Sequence, residues 1–109
     1  MLSWKEFEKV DIRVGTIIEV DGFPKARKPA WKIKIDFGEM GIKQSSAQIT
    51  DLYSKEDLLN KQIIAVVNFP PKQIADFMSE CLILGVVNED EPVILLQPER
   101  QTQNGLRIG

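Results

Sequence analysis

The chain has 109 residues, of which 43% are hydrophobic and 28% charged, as in one soluble domain and unlike disordered, fibrous or membrane-embedded proteins. Its 14 Lys and Arg against 16 Asp and Glu give a net charge of -2, which argues against nucleic-acid binding by the whole surface. Histidine is absent, which excludes Ser-His and Cys-His nucleophile pairs and imidazole metal ligands. We therefore expect no enzymatic activity, no cofactor and no metal.

The single cysteine, Cys81, forms no internal disulfide and suits a reducing compartment, so a cytoplasmic location is expected. The N-terminal sequence has no basic region followed by an apolar run, which is the pattern of a cleaved signal. No segment approaches the roughly 20 apolar residues of a membrane-spanning helix. We expect neither secretion by such a signal nor membrane insertion.

The N-terminal region combines a helix signal with a long strand signal. Ser3 and Glu6 have capping-box spacing before residues of helical period, which predicts a short helix over 4–9. Residues 10–20 then alternate with period two and predict a strand with one buried face. That face comprises Val10, Ile12, Val14, Thr16, Ile18 and Val20. Gly15 in the middle predicts a bulge or bend.

The next elements are a loop, a hairpin and a helical turn. Glycine and prolines over 21–29 predict a loop, and alternation over 31–37 predicts a second strand. A short glycine-flanked turn leads to a third strand over 42–48, so strands two and three form a hairpin. Ser54 followed by acidic residues predicts one or two helical turns.

Two apolar runs rich in β-branched residues, 62–69 and 81–87, predict strands buried on both faces or nearly so. The prolines at 70–71 exclude a plain hairpin turn between them. A last short strand is predicted over 92–96, and residues 97–109 form a polar tail.

These elements favour a single all-β domain over residues 1–109. Five or six short strands, with a helix between the third and fourth, predict a five-stranded OB-fold barrel with short helices and N- and C-terminal extensions. A small β-sandwich is the alternative.

A basic cluster is the clearest charge feature, and it contains no acid between its members Lys25, Arg27, Lys28, Lys32 and Lys34. Lys32 and Lys34 share the exposed face of the second strand, and Arg13 and Lys43 are placed to join them from flanking strands. In OB folds this face and the preceding loop bind oligonucleotides. The alternative is a solvated face that serves solubility.

An apolar cluster follows the fourth strand and consists of Phe69, Pro70, Pro71, Ile74, Phe77 and Met78. Exposed clusters of this kind mark binding surfaces, and Met and Phe suit adaptable peptide sites. Alternatively, Ile74 and Phe77, three residues apart, dock a short helix onto the barrel end.

The order of several motifs is more specific than either cluster. The chain carries DIRVG at 11–15, IIEV at 17–20, IDFG at 35–38, NFPPK at 68–72 and SECL at 79–82. This order resembles the tRNA-binding OB-domain family over almost the whole chain, about residues 8 to 109. Within the family the sequence is most similar to the export-related chaperones.

The resemblance implies a non-enzymatic cytoplasmic chaperone that binds unfolded or precursor polypeptides during protein export, with the export machinery as a further partner. The expected polypeptide-binding residues are Phe69, Pro71, Ile74, Phe77 and Met78. The resemblance also implies a homodimer formed through the terminal segments, including 97–109. A barrel of this size also leaves apolar terminal residues poorly covered, namely Trp4, Phe7, Leu106 and Ile108.

Structure-specific tRNA binding is the alternative function. The residues that match the family's tRNA-contacting positions are Arg13, Lys32, Lys34, Lys43, Gln44, Ser45, Asn68, Lys72 and Ser79. The sequence departs from that pattern at 73–78, where QIADFM replaces a basic, glycine-containing stretch, and at Cys81, which replaces a small glycine. These changes favour polypeptide over phosphate contact. A third hypothesis is an assembly factor that binds one folded partner.

Overall fold

The computed structural model describes all 109 residues and is built mainly of antiparallel strands. Five strands form one sheet in the order β3-β2-β1-β4-β7: β1 (Ile12–Gly22), β2 (Trp31–Asp36), β3 (Ile42–Ala47), β4 (Gln62–Val66) and β7 (Leu82–Ile83). Two hairpins lie outside it: β5 (Lys72–Ile74) with β6 (Phe77–Ser79), and β8 (Gly85–Asn88) with β9 (Glu91–Leu95). The sheet curls into a nearly closed barrel, which confirms the predicted all-β, OB-type fold.

Both predicted helices are present, and each begins with a capping box. In α1 (Trp4–Glu8) the Glu6 backbone N–H donates to the Ser3 hydroxyl at 3.2 Å, and in α2 (Lys55–Leu58) that of Asp57 donates to Ser54 at 3.1 Å. The return hydrogen bond from the Ser54 N–H lowers the pKa of the Asp57 carboxyl. Neither helix has the length and apolar composition needed to cross a membrane.

The barrel core is formed by one face of each main strand together with α2. Its most deeply buried large side chains are Phe37, Ile17, Ile33, Ile35, Leu58 and Ile63. All five residues of β4 are buried, as the continuous apolar run predicts for a central strand. The strand ends at Val66, however, and the last two residues of the predicted run, Asn68 and Phe69, are exposed.

The predicted alternation of β1 is wrong at Ile17 and Ile18, and it is restored at Val20, which is buried as predicted. Ile17 is fully buried whereas Ile18 is 40% exposed, because the pairing of β1 with β2 shifts register between Ile17 and Glu19. The bulge therefore lies after Ile17, not at Gly15. Gly15 is required for another reason, since a Cβ there would lie 2.5 Å from Ile35 Cγ2.

The run at 81–87 is not one strand buried on both faces. It divides into β7, which pairs with β4, and β8, which pairs with β9 outside the main sheet. Val86 and Val87 are 54% and 79% exposed because no second layer covers that hairpin.

The segment at 70–79 is a hairpin, so the short helix considered for Ile74 and Phe77 is wrong. These two residues are cross-strand neighbours of β5 and β6, and Ala75 in the turn between them has a φ of 52°. Both prolines precede β5, where no hydrogen bond of the hairpin requires their missing N–H.

Few hydrogen bonds close the barrel between β3 and the segment leading into β7. The Glu80 N–H donates to the Gln44 carbonyl at 2.8 Å, and the Ser45 hydroxyl donates to the Cys81 carbonyl at 2.9 Å. Ser45 is itself 2% exposed, so its hydroxyl is satisfied inside the barrel wall.

The C-terminal tail returns to the barrel and extends the sheet along the first half of β1. The Val14 N–H donates to the Leu106 carbonyl at 3.1 Å, and the Ile108 N–H donates to the Ile12 carbonyl at 2.8 Å. The Arg13 guanidinium donates to the Gly105 carbonyl at 3.0 Å. The tail is thus held by its own barrel.

We predict that Gly15→Ala lowers the free energy of unfolding by about 1 to 3 kcal/mol, because the added methyl overlaps Ile35 and Phe37 inside a filled core. Urea unfolding followed by circular dichroism measures this loss. Gly22→Ala is the matched control in the same strand, since nothing lies within 4 Å of a Cβ at Gly22. Equal stability of the two variants would contradict the packing assigned to Gly15.

Candidate binding groove

A cavity of about 1020 Å³ opens at the incompletely closed side of the barrel. Four segments line it: residues of the loop at 23–30, the end of β3 with residues 48–49, β5 with Ala75, and parts of β7, β8 and β9. A second cavity of about 550 Å³, bordered by Phe69, Pro70 and Pro71, shares Ser46, Lys72, Ile74 and Leu82 with the first. We call the two together the groove.

Basic side chains border the groove and no carboxylate lines it. The bases are Lys25, Arg27, Lys28 and Lys72. Only Lys25 has a carboxylate within 4.0 Å, that of Asp76. The remaining three bases attract negative charge at the groove without competition from an ion-pair partner.

An aromatic contact and an ionic contact hold one wall of the groove together. We call the aromatic part, formed by Phe23, Phe77 and Lys32, the clamp. The rings of Phe23 and Phe77 lie 5.5 Å apart, and Lys32 Nζ stands 5.1 Å from the Phe23 ring centre and 5.7 Å from that of Phe77. Lys25 Nζ lies 3.3 Å from Asp76 and, by hydrogen bonding, lowers the pKa of that carboxyl. The basic loop is thereby fixed to the β5–β6 hairpin.

The five predicted polypeptide-binding residues divide into two groups. Phe69, Pro71 and Ile74 line the groove. Phe77 does not line the groove, and its ring packs against that of Phe23. Met78 lies on the opposite face of the hairpin and is 44% exposed.

Five of the nine residues predicted to contact tRNA make internal hydrogen bonds. Arg13 pairs with Asp11 at 2.6 Å. Asn68 accepts from the Asp11 N–H at 3.0 Å and donates to the Lys9 carbonyl at 2.7 Å, which ties α1 to the barrel. The other three are barrel-closing residues: Gln44, Ser45 and Ser79.

The four predicted lysines have different surroundings. Lys32 is part of the clamp, and Lys34 pairs with Glu19 at 3.3 Å. Lys43 and Lys72 have no carboxylate within 4.0 Å, and of the four only Lys72 lines the groove.

Several lining residues were not predicted as site residues. Arg27 and Lys28 belonged to the basic cluster, but a loop sequence does not show which side of the barrel the loop covers. Ser46, Ile83 and Val87 also line the groove. The alternation of apolar and polar residues along these strands does not distinguish a strand that lines a groove from a strand that is buried in a core.

Cys81 borders the groove as a buried, neutral thiol. Burial raises the pKa of this thiol to about 12, so the nucleophilic thiolate is scarcely populated at neutral pH. Its position therefore supplies packing rather than covalent chemistry.

The residues predicted for a dimer interface belong to α1 and to the C-terminal tail. Trp4 is 84% exposed and Leu106 46% exposed, while Phe7 and Ile108 are half-buried. A cavity of about 360 Å³ lies between Leu2, Trp4, Phe7 and Gly109. Leu2, Trp4 and Phe7 form an apolar surface beside the C-terminal residue, where Arg107 of the tail donates to the Glu8 carbonyl at 2.7 Å.

The sequence matches the family model described as "Putative tRNA binding domain" over residues 12–107. The chain belongs to this family of tRNA-binding domains. It is 32% identical to a methionine–tRNA ligase of Methanococcoides burtonii over 99% of this chain, and 34% identical to one of Thermococcus onnurineus over 98%. These matches span only 16% and 14% of the two ligases, so the tRNA-binding domain resembles one part of each enzyme.

Two solved structures are similar to this tRNA-binding domain over its whole length. The chaperone CsaA of Bacillus anthracis superposes with a TM-score of 0.95 at 51% identity, covering 100% of this chain and 99% of that one. The CsaA chaperone protein of Picrophilus torridus superposes with a TM-score of 0.93 at 55% identity, covering 100% of both chains. The predicted relationship to the tRNA-binding family, close to its chaperones, is confirmed.

Proposed function

We propose that this protein is a non-enzymatic chaperone whose groove binds apolar segments of unfolded or precursor polypeptides in the cytoplasm, in support of protein export. The observation that carries the proposal is the groove itself, which is bordered by bases and free of carboxylates. Its larger cavity is about 1020 Å³ in volume and is lined largely by apolar side chains. The full-length similarity to two CsaA chaperones supports the same function.

The composition of the groove favours weak and promiscuous binding. Each fully buried apolar side chain of a client contributes about 1.5 to 3 kcal/mol, and the cost of ordering an unfolded segment removes part of that gain. Arg27, Lys28 and Lys72 attract acidic flanks and accelerate encounter. The export machinery is proposed as a partner that receives the client.

The proposed assembly is a homodimer formed through the apolar surface near the termini. The exposed Trp4 and Leu106 support it, because a two-fold interface is the commonest way to cover such a surface. The tail is already hydrogen-bonded to β1, so dimerisation requires no exchange of the tail between barrels.

We predict that Ile74→Glu weakens client binding by more than about tenfold, since it places an unpaired carboxylate among apolar lining residues. Fluorescence anisotropy with reduced, carboxymethylated lactalbumin, which is permanently unfolded, measures the affinity. Met78→Glu is the matched control, because Met78 lies on the same hairpin but outside the groove. Equal binding by a folded Ile74→Glu variant and the control would refute the groove as the client site.

Structure-specific tRNA binding is the second candidate function, since the chain belongs to the tRNA-binding domain family. The bases available for phosphates are those without an ion-pair partner near the groove and on β3, namely Arg27, Lys28, Lys43 and Lys72. An RNA bound there occupies the same basic border that the chaperone function uses.

If tRNA binds at this border, we predict that the double variant Arg27→Gln/Lys28→Gln reduces the salt dependence of tRNA affinity. Each lost phosphate contact lowers the slope of log affinity against log salt by about 0.9 on duplex regions. Titrations of labelled tRNA at several salt concentrations measure the slope. Lys5→Gln/Lys9→Gln, which removes two exposed charges near α1, is the control. An unchanged slope in the loop variant would place tRNA elsewhere.

A further inference from the structure

The outer edge of β3 carries backbone groups that no strand of the barrel pairs. The Gln44 N–H and C=O bond to Glu80 at 3.0 and 2.8 Å and therefore point away from β2. The β2–β3 ladder has no register shift, so alternate residues point the same way. Ser46 thus also directs its N–H and C=O outward. Its carbonyl lies 3.3 Å from the Ser45 hydroxyl, whose one hydrogen is donated to the Cys81 carbonyl at 2.9 Å, and its N–H has no partner in the chain.

The segment that joins β7 to β8 also carries backbone groups that no strand of the barrel pairs. The Leu84 N–H donates to Ile64 at 2.8 Å, and the Leu84 carbonyl accepts from Leu96 at 3.2 Å. Both groups lie on one side of the strand, so those of Ile83 and Gly85 point to the other side. In agreement, the N–H of Leu95, which stands opposite Gly85, donates to the Tyr53 hydroxyl.

These two edges face the same space. On the outward side of β7, the Cys81 carbonyl already accepts from Ser45 of β3 at 2.9 Å, which shows that this side is directed at β3. Beyond that bond the strands are not hydrogen-bonded to each other, and Ser46, Ile83 and Gly85 all line the groove. An unpaired strand edge is a template for another strand, and here two such edges flank one gap.

We propose that a client polypeptide binds as an extended strand inserted between β3 and β7–β8. Its backbone pairs with Ser46 on one side and with Ile83 and Gly85 on the other, which completes the barrel. This inference rests on the proposed chaperone function and specifies how the groove recognises its client.

The charge of the groove specifies the client further. Because the lining has three bases without ion-pair partners and no carboxylate, the inserted strand is apolar with acidic residues at its ends. Backbone pairing supplies affinity without reading sequence. The groove therefore accepts many extended segments but excludes proline, which removes the paired N–H.

The test uses a fluorescein-labelled decapeptide of alternating valine and threonine with glutamates at both ends. In ester analogues, oxygen replaces two alternate backbone N–H groups while side chains and trans geometry are kept. We expect the analogues to bind about tenfold more weakly than the parent peptide, because each loses two intermolecular hydrogen bonds. We also expect the parent peptide to slow amide hydrogen exchange at Ser46, Ile83 and Gly85, measured by NMR.

A variant of the protein tests the same edge. Ser46→Pro removes the outward N–H without breaking a hydrogen bond to β2, and we expect it to weaken binding of the decapeptide severalfold. Ser46→Ala keeps the N–H and is the control. The ester analogues and the exchange measurement decide the question even if the proline variant does not fold.

The outcomes separate this inference from the proposed function. Equal affinity of the parent peptide and its ester analogues, with no protection of the three amides, would overturn strand insertion. If carboxymethylated lactalbumin still bound under those conditions, the chaperone function would stand without it. If neither the decapeptide nor lactalbumin bound, the proposed function and the inference would fail together.

Discussion

The barrel closes at one end through a few hydrogen bonds rather than along a full strand ladder, and the groove depends on this constraint. Gln44 and Ser45 hold β3 to the segment at Glu80 and Cys81, and beyond them the two strands diverge. A continuous ladder between β3 and β7 would have filled the gap with paired backbone. Instead the wall opens where the basic loop and the β5–β6 hairpin stand, and those two elements are clamped together by Phe23 and Phe77.

Many polar residues of the family motifs serve the framework instead of a ligand. Arg13 binds Asp11 and the tail, and Asn68 ties the end of α1 to the start of β1. The Arg13 guanidinium is half-buried and therefore costly to leave unpaired, and the hydrogen bonds of Asn68 occupy both its side-chain oxygen and its amide nitrogen. Among the predicted basic residues, those without a carboxylate within 4.0 Å include Arg27, Lys28 and Lys72, and these three border the groove.

Local patterns predicted most of the fold. The capping boxes, the β2–β3 hairpin and the buried β4 depend on residues close in sequence, so propensity and periodicity suffice for them. The bulge after Ile17 and the departure of β8 from the sheet depend on which strand lies opposite, which periodicity does not show. For the same reason the sequence identified groove-lining residues such as Ile74, but also included Phe77, whose aromatic partner is 54 residues away in the chain.

The central claim, that the groove binds unfolded polypeptide, is tested most directly by titrating the unmodified protein with labelled carboxymethylated lactalbumin and, separately, labelled tRNA. Each titration is followed by fluorescence anisotropy at low and near-physiological salt. The account predicts polypeptide binding that persists at the higher salt, where apolar contacts are retained, while any tRNA binding weakens steeply. Tight tRNA binding without any polypeptide binding would contradict the claim that the groove binds unfolded polypeptide. The apolar lining would then serve only the packing of the barrel.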